Sequence, residues 1–192
     1  MHTKPQKLLW EHLGYTDKKP EKIRFRDKTG TRLTVIDNGE KVYQKAVYED
    51  YFLMGFSKHL YFRESCYSCN FATKERCSDI TLGDFWGLGK EKPFFHDIKN
   101  GVSVALINNE KGQKLFGEVS EEIFYEERDV SEAIKGNPRY TSPSKAHQNK
   151  EKFLMEYEKY GFKKALKRAL KKERIKYLVF EGKQMLKKIL KK

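Results

Sequence analysis

The sequence predicts an α+β protein in which an antiparallel meander and a mixed sheet pack against helices, followed by a basic helical C-terminal tail. Three runs of alternating apolar and polar residues between positions 22 and 47 are typical of half-buried strands joined by tight turns. After Gly101 the pattern becomes strand, helix, strand, which favours an α+β or mixed sheet over an all-β barrel. Residues 145–192 are rich in lysine and have helical apolar spacing. We therefore expect a domain at residues 1–141 and an amphipathic helical tail at residues 142–192.

The first half of the predicted domain contains two helices around the meander. Residues 6–14 suit a short helix that Gly14 ends. Strands are predicted at 22–27, 31–37 and 40–47, with turns at residues 28–30 and at Asn38-Gly39, a strong hairpin signal. Residues 48–60 place aromatic and aliphatic side chains at spacings that suit a helix packed on this sheet.

The second half is predicted to contain three more strands. A short buried strand is expected at 79–82, and 101–108 is an uncharged, β-branched run typical of another. A helix at 109–119, with Asn108 or Asn109 as its N-cap, leads to an alternating strand at 122–128 and a helical turn at 130–135. In the tail, Gly161 and Gly182 divide the helical pattern into separate pieces.

Charge is concentrated in the tail. Residues 145–192 contain 17 Lys and Arg against 5 Asp and Glu, a net +12, whereas residues 1–144 contain 23 against 22, a net +1. The uniformly basic surface of a dedicated nucleic-acid-binding domain is therefore not predicted. We interpret the tail as a solvated amphipathic segment packed loosely on the domain or on a partner. Two alternative interpretations are that the tail lies on an anionic membrane surface and that it contacts RNA.

The hydropathy pattern bears on where in the cell we expect the protein to be. No run of about eighteen apolar residues predicts a transmembrane helix, and no signal-peptide pattern is seen. We expect a cytoplasmic protein, which the basic tail would allow to associate peripherally with a membrane. The three cysteines then predict ligands or free thiols in a reducing compartment, not a disulfide framework.

Residues 65–89 hold all three cysteines and are the candidate site. Cys66 and Cys69 form a CxxC pair, and Cys77 follows at a spacing that matches neither a usual zinc knuckle nor a bacterial ferredoxin run. Spacing alone leaves three alternatives: an iron–sulfur cluster, a zinc site with a fourth ligand from His59, His96 or another molecule, and plain core or free thiols.

The segment after the cysteines, SDITLGDFWG at residues 78–87, predicts a short strand that ends in a tight turn. Backbone N–H groups around Gly83 and Gly87 could approach a cofactor phosphate or a cluster sulfide closely. The alternative is purely structural, with Phe85 and Trp86 in the core and Asp84 capping backbone N–H groups.

Several motifs together resemble one known family. They are SCYSCNFA at 65–72, Arg76, SDITLGDFWG at 78–87, GVS at 101–103 and NNEKG at 108–112. This combination resembles the C-terminal region of the coenzyme F420 hydrogenase/dehydrogenase beta-subunit family, including relatives encoded among bacterial polysaccharide-biosynthesis functions. The resemblance extends over residues 7–119. It implies an iron–sulfur flavoprotein with a four-iron four-sulfur cluster, an FAD, and electron or hydride transfer with the deazaflavin coenzyme F420 or another acceptor.

The resemblance also implies site residues. Cys66 and Cys69 match the family's cluster-binding pair, and Cys77 is the third predicted metal ligand. The predicted cofactor-binding residues are Asp79, Thr81, Gly83, Asp84, Trp86 and Gly87. No acid–base pair or nucleophilic triad can be assembled from the sequence, so no catalytic residue is predicted.

One departure from the family shapes the functional expectation. Longer members carry a flavin-binding portion with further cysteines ahead of this region, whereas the start of this sequence resembles a point midway through the family's domain. We expect part of an electron- or hydride-transferring oxidoreductase, incomplete alone, whose partner is a redox protein or the N-terminal portion. The alternative is a non-catalytic remnant that acts as a binding module docked through its basic tail, and a third hypothesis is a zinc-stabilised RNA binder.

Overall fold

The computed structural model of the protein describes residues 5–15, 19–27 and 30–189. Within these ranges the chain forms two compact units. Unit 1 comprises Met1–Tyr67 and Lys145–Lys192, and unit 2 comprises Ser68–Ser144. The contacts therefore group the basic C-terminal residues with the N-terminal ones, whereas the sequence predicted a boundary between residues 141 and 142.

The described elements follow in chain order. They are α1 (Pro5–Leu13), β1 (Lys22–Asp27), β2 (Gly30–Asp37), β3 (Glu40–Ala46), α2 (Tyr51–Ser57), α3 (Glu64–Tyr67), β4 (Ile80–Asp84), β5 (Ser103–Ile107), α4 (Glu110–Val119), α5 (Val130–Gly136), a 3-10 helix (Pro138–Tyr140), α6 (Lys150–Tyr160), α7 (Phe162–Ala169) and α8 (Lys171–Ile189). The α+β class is confirmed. No helix in the described part of the chain is long and apolar enough to cross a membrane.

The predicted meander is confirmed in unit 1. Strands β1, β2 and β3 form an antiparallel sheet in that order. Asn38 and Gly39 both have positive φ, 51° and 76°, as the two central residues of a tight hairpin turn require. Lys28 and Thr29 of the other predicted turn lie outside the described residues.

The core of unit 1 unites the N-terminal elements with α6 and α7. Its largest fully buried side chains are Tyr61, Phe153, Phe162, Leu8, Leu33, Met54, Leu60, Leu166 and Leu170. Four of these come from the segment predicted to be a loosely packed tail, so that interpretation is wrong for residues 150–170. Complete burial of each such side chain stabilises the fold by about 1.5–3 kcal/mol, which makes these helices part of the domain.

The two glycines predicted to divide the C-terminal helices behave differently. Gly161 has a φ of 75° and separates α6 from α7, as predicted. Gly182 lies inside α8, so the predicted break there is wrong. The second interruption falls instead at Leu170, which is buried and caps α7 through its backbone N–H to the Leu166 carbonyl. No glycine stands at this break, where the Leu170 backbone leaves the helical range with φ −104° and ψ 15°.

A buried carboxylate joins three elements of unit 1. The Asp50 side chain accepts hydrogen bonds from the Tyr43 hydroxyl at 2.5 Å and from the Leu53 backbone N–H at 2.6 Å, the latter as the N-cap of α2. His12 Nε2 lies 2.7 Å from the same carboxylate. Burial alone would raise the pKa of Asp50, but the hydrogen bonds led by His12 outweigh it and lower that pKa. Burial, together with Asp50, raises the pKa of the Tyr43 hydroxyl.

Unit 2 is built on one hairpin-like strand pair. Strands β4 and β5 pair antiparallel from Ile80 opposite Ile107 to Asp84 opposite Ser103. This described sheet has two strands and no parallel pairing, and residues 122–128 are irregular, so the strand predicted there is wrong. An alternating pattern becomes a strand only where a partner edge accepts it. In the described part of unit 2, β4 and β5 pair only with each other.

Candidate cofactor site

Two loops at the end of the β4–β5 pair interlock through their polar side chains. The first contains Ser78 and Asp79 just before β4, and the second contains Asn108 and Asn109 just after β5. Because antiparallel pairing aligns Ile80 with Ile107, the residues that flank these positions meet at the same end of the sheet. We call this pair of loops the SD–NN junction.

Asn108 ties the two loops together. Its Nδ2 donates to the Ser78 carbonyl at 2.9 Å and to Thr81 Oγ1 at 3.0 Å, and its backbone N–H donates to the Asp79 carbonyl at 2.9 Å. Ser78 Oγ and Thr81 Oγ1 are also within hydrogen-bond distance, at 3.1 Å. The Thr81 hydroxyl, predicted to bind cofactor, is thus engaged within the junction.

Asp79 is engaged in the same way. Its carboxylate accepts a hydrogen bond from Asn109 Nδ2 at 2.9 Å and forms an ion pair with Lys111 Nζ at 2.9 Å. These contacts, that with Asn109 first, lower the pKa of Asp79. Asn109 also caps α4, because its side chain accepts from the Gly112 N–H. The NNEKG motif therefore begins a helix and holds Asp79.

Gly112 is required at this junction for space. A Cβ on Gly112 would overlap the Asp79 carbonyl oxygen and lie 2.9 Å from the carbonyl carbon. Gly112 is buried in the first turn of α4. Only glycine lets the helix approach the loop this closely.

A second close approach places Tyr140 against Gly83. On β4, Thr81 and Gly83 pair with Leu106 and Val104, and this sheet face packs in the small core with Tyr140. A Cβ on Gly83 would overlap the Tyr140 hydroxyl and lie 3.1 Å from Cζ. The glycine of the GDFWG motif therefore makes room for a buried tyrosine.

The Tyr140 hydroxyl is unusual in its surroundings. Tyr140 is only 6% exposed, and its hydroxyl has no hydrogen-bond partner among the described residues. A buried hydroxyl without a partner costs about 1–3 kcal/mol, so such a group calls for an explanation, such as a bound water or ion or a redox role. Burial raises the pKa of this hydroxyl, and the Arg76 guanidinium partly opposes that rise.

Arg76 contacts both the backbone and the ring of Tyr140. One guanidinium nitrogen donates to the Tyr140 carbonyl at 2.6 Å and another to the Phe71 carbonyl at 2.7 Å. The guanidinium also lies 5.6 Å from the Tyr140 ring centroid. Arg76 is therefore a positioning residue that joins the segment after Cys69 to the 3-10 helix.

Arg128 makes a similar clamp elsewhere in unit 2. Its guanidinium donates to Glu126 at 2.7 Å, to Glu132 at 3.1 Å and to the carbonyls of Lys92 and Pro93. The side chains of Arg128 and Glu132 are only 5% and 9% exposed, so the ion pair between them is largely shielded from water. Arg128 thus fixes the irregular segment around Pro93 to the start of α5.

A wide cavity of about 1400 Å³ opens in unit 2 around these elements. Its walls are mostly apolar and aromatic, with basic side chains among them. Representative wall residues are Leu82, Phe85, Phe116, Phe124, Tyr140, Lys74 and Arg76. Several of them are more than half exposed, including Leu82 at 73% and Phe124 at 68%. Unit 2 by itself therefore leaves a large apolar surface uncovered.

Comparison with protein families identifies the chain. The family model that describes the C terminus of the beta subunit of coenzyme F420 hydrogenase/dehydrogenase matches residues 2–133. The chain belongs to this family. Searches of curated proteins and of solved structures returned no match.

Membership of this beta-subunit family raises the question of a metal cluster, and the described residues do not assemble one. Cys66 belongs to unit 1, whereas Cys69 and Cys77 belong to unit 2. All three are free thiols, and across residues 5–15, 19–27 and 30–189 no group of three or more His, Cys, Asp or Glu side chains could hold a metal ion. The assignment of these cysteines as metal ligands stays a prediction, and no step is derived through a cluster.

The predicted cofactor-binding residues of this beta-subunit domain have varied surroundings. Asp79 and Thr81 are held in the SD–NN junction, and Gly83 faces Tyr140. Asp84 ends β4, and Trp86 is 52% exposed, so the alternative that placed Trp86 in the core is wrong. Gly87 has a φ of 83°, which suits the predicted turn. Their role in cofactor binding stays a prediction.

The sequence did not predict a role for Tyr140 or for Arg128, which both organise unit 2. Tyr140 lies far along the chain from Gly83 and carries no motif, so only the folded chain brings the two together. Arg128 lies in an acidic run, EERDVSE, that is typical of a solvated surface. The sequence predicted a helix cap at Asn108 or Asn109 and placed both in the NNEKG motif, but it did not predict their hydrogen bonds to Ser78 and Asp79. The polar character of Ser78 and Asp79 was the available signal for this second role.

Proposed function

We propose that the chain is a cofactor-binding domain of an electron- or hydride-transferring enzyme, and that a deazaflavin such as coenzyme F420, or a flavin, binds in the cavity of unit 2. Two observations carry this proposal: Tyr140 lines that cavity, and its buried hydroxyl has no hydrogen-bond partner among the described residues. Family membership supports the redox class.

The cavity walls match the chemistry of such cofactors. A flavin or deazaflavin combines a flat aromatic ring with an anionic side chain, and apolar and aromatic walls suit the ring. Lys74 and Arg76 supply positive charge in the same walls. Because Arg76 already holds two carbonyls, the exposed Lys74 is the better candidate to meet the anionic chain. The bound group would supply the hydride chemistry, and Tyr140 would donate a hydrogen bond to it.

The size of the cavity supports a partner as well. Sites for small molecules usually occupy about 300–1,000 Å³, less than the 1400 Å³ found here. We therefore propose that a redox partner, or an N-terminal portion of a longer protein, covers the remaining apolar surface. A cluster at Cys66, Cys69 and Cys77 would need ligands from that partner.

Cofactor binding is testable with the purified protein. FAD and coenzyme F420 are titrated separately, and quenching of each cofactor's fluorescence is measured for the wild type and for Tyr140→Phe. Loss of one hydrogen bond is expected to weaken binding about threefold to tenfold. Tyr160→Phe, which changes a tyrosine of unit 1, is the matched control and should bind as the wild type does. Failure of both cofactors to bind would refute the proposal for this chain.

The cluster is tested independently by anaerobic reconstitution with iron and sulfide, followed by iron counting and visible absorbance. Colourless protein without bound iron would favour the second candidate function, a non-catalytic binding module. The observation that favours this alternative is the large apolar surface exposed in unit 2, which suits a binding module whatever its cofactor content.

A further inference from the structure

Helix α8 contacts the rest of unit 1 along one side. Tyr177 stacks on Tyr48 with ring centroids 5.3 Å apart, and Arg174 donates to the Tyr48 carbonyl. Glu173 and His147 lie within 3.2 Å of one another. These contacts all come from the first two turns of α8. Every described side chain from residue 178 to residue 187 is exposed.

The exposed surface of α8 carries an apolar stripe, in which Gly182 lies between Val179 and Met185. Because an α-helix turns by about 100° per residue, five apolar side chains fall within one sector of about 120°. They are between 50% and 69% exposed: Ile175, Leu178, Val179, Met185 and Leu186. Glu173 and Tyr177, which make the contacts with the rest of unit 1, lie outside this sector of the helix. Those contacts therefore leave the stripe uncovered.

Lysines border this apolar stripe. Lys172, Lys176, Lys183 and Lys187 follow one another at spacings of four and seven residues, which places them in one row along the edge of the stripe, and all four are exposed. The sequence of α8 contains seven basic and two acidic residues, a net +5. Phe180 is the exposed apolar side chain on the opposite side of the helix.

We infer that α8 binds along the surface of an anionic lipid bilayer, with its apolar stripe in the boundary between headgroups and acyl chains and its lysine row at the lipid phosphates. An apolar stripe edged by lysine is the pattern of an interfacial helix. This inference is independent of the proposed redox function.

Charge and chemistry favour lipid over two other occupants. A second copy of α8 packed on the stripe would bring two helices of net +5 together, and like charges at close range oppose that pairing. A nucleic acid would meet the lysines but offers no hydrocarbon for the stripe. An anionic bilayer satisfies both features at once.

The test uses the full chain, because α6 and α7 belong to the core of unit 1 and a truncation from residue 145 would unfold it. Co-sedimentation is measured with vesicles of pure phosphatidylcholine and with vesicles of equal parts phosphatidylcholine and phosphatidylglycerol. We expect binding to the second kind only. Lys176→Gln and Lys183→Gln are each expected to weaken it about fivefold, and Leu186→Ser about tenfold.

Phe180→Ser is the matched control, since it removes an exposed apolar side chain from the same helix but outside the stripe. It should bind as the wild type does. Because all of these side chains are exposed, unchanged circular dichroism should show that each variant stays folded. Equal loss in Phe180→Ser and Leu186→Ser would overturn the inference. So would no binding to phosphatidylglycerol vesicles, salt-sensitive binding to RNA instead, or a dimer in light scattering that Leu186→Ser abolishes.

Discussion

Gly83→Ala is the substitution that most directly tests the packing of the candidate site. Gly83 lies in β4 and is the first residue of the GDFWG motif. It packs directly against the buried Tyr140 hydroxyl. An alanine in a strand is ordinarily more favourable than glycine by about 0.5–1 kcal/mol, because glycine loses more backbone entropy on folding. Here the added Cβ would overlap the hydroxyl, so the sign of the effect should reverse.

The magnitude follows from the contacts that the methyl group would make. Overpacking of a closed site typically costs about 1–3 kcal/mol, and we expect Gly83→Ala to destabilise unit 2 by that amount. Tyr140→Phe alone should be neutral or slightly stabilising, because it removes a buried hydroxyl without a partner in the described structure. With that hydroxyl gone, the new Cβ would meet Cζ at 3.1 Å, a tight contact that small shifts can relieve.

The assay is a double-mutant cycle. Urea unfolding of unit 2 is followed by the fluorescence of Trp86 in a Trp10→Phe background, since Trp10 belongs to unit 1. The double variant Gly83→Ala/Tyr140→Phe should regain about 1 kcal/mol or more relative to the sum of the single changes. Gly117→Ala, at a helical position with open space around it, is the control and should be stabilising. Additive single effects, or a stabilising Gly83→Ala, would refute the proposed contact.

Three further predictions concern other parts of the chain. Asp50→Asn should destabilise unit 1 by about 2–3 kcal/mol near neutral pH in denaturant titrations. Because the folded pKa of Asp50 is lowered, its contribution is present above the ordinary carboxyl value of 3.8 and is lost as the pH falls through the folded pKa, so the wild type and variant should converge in acid. Lys111→Met should raise the pKa of Asp79 toward its ordinary value in an NMR titration. Lys114→Met, which changes the other lysine of α4, is the control and should leave that pKa unchanged. Arg128→Lys should lower the free energy of unfolding of unit 2 by about 1.5–3 kcal/mol, since one ammonium cannot reach both glutamates and both carbonyls. An unchanged melting curve would contradict this role.

Local pattern was sufficient for much of the fold. The meander, the Asn38-Gly39 turn and the Asn109 cap of α4 depend on nearest neighbours, and all three are present. Predictions that needed a distant partner fared worse. Residues 122–128 alternate as a strand does but pair with no edge of the described sheet. Gly182 carries a break signal that the helix around it overrides, because helix propensity is a weak preference beside continuous hydrogen bonding.

In the candidate site, too, local features could be predicted and long-range contacts could not. The motif residues Asp79, Thr81 and Asn108 could be singled out from the sequence, but their hydrogen bonds to one another depend on the register of β4 with β5. The tyrosine that Gly83 accommodates comes from a distant 3-10 helix. Cofactor chemistry was predicted through family resemblance, and the family itself is confirmed.

The sequence by itself determined the α+β class, the family and the basic character of the C-terminal segment, because composition, short-range periodicity and motif spacing are local properties. Only the tertiary structure decided that one part of this segment lies in the core and the other part stays exposed. Helices α6 and α7 bury Phe153 and Phe162 in the core of unit 1, while α8 keeps its apolar stripe exposed beside its lysines. Both parts have amphipathic patterns rich in lysine, and such a pattern specifies an apolar face without specifying what covers it.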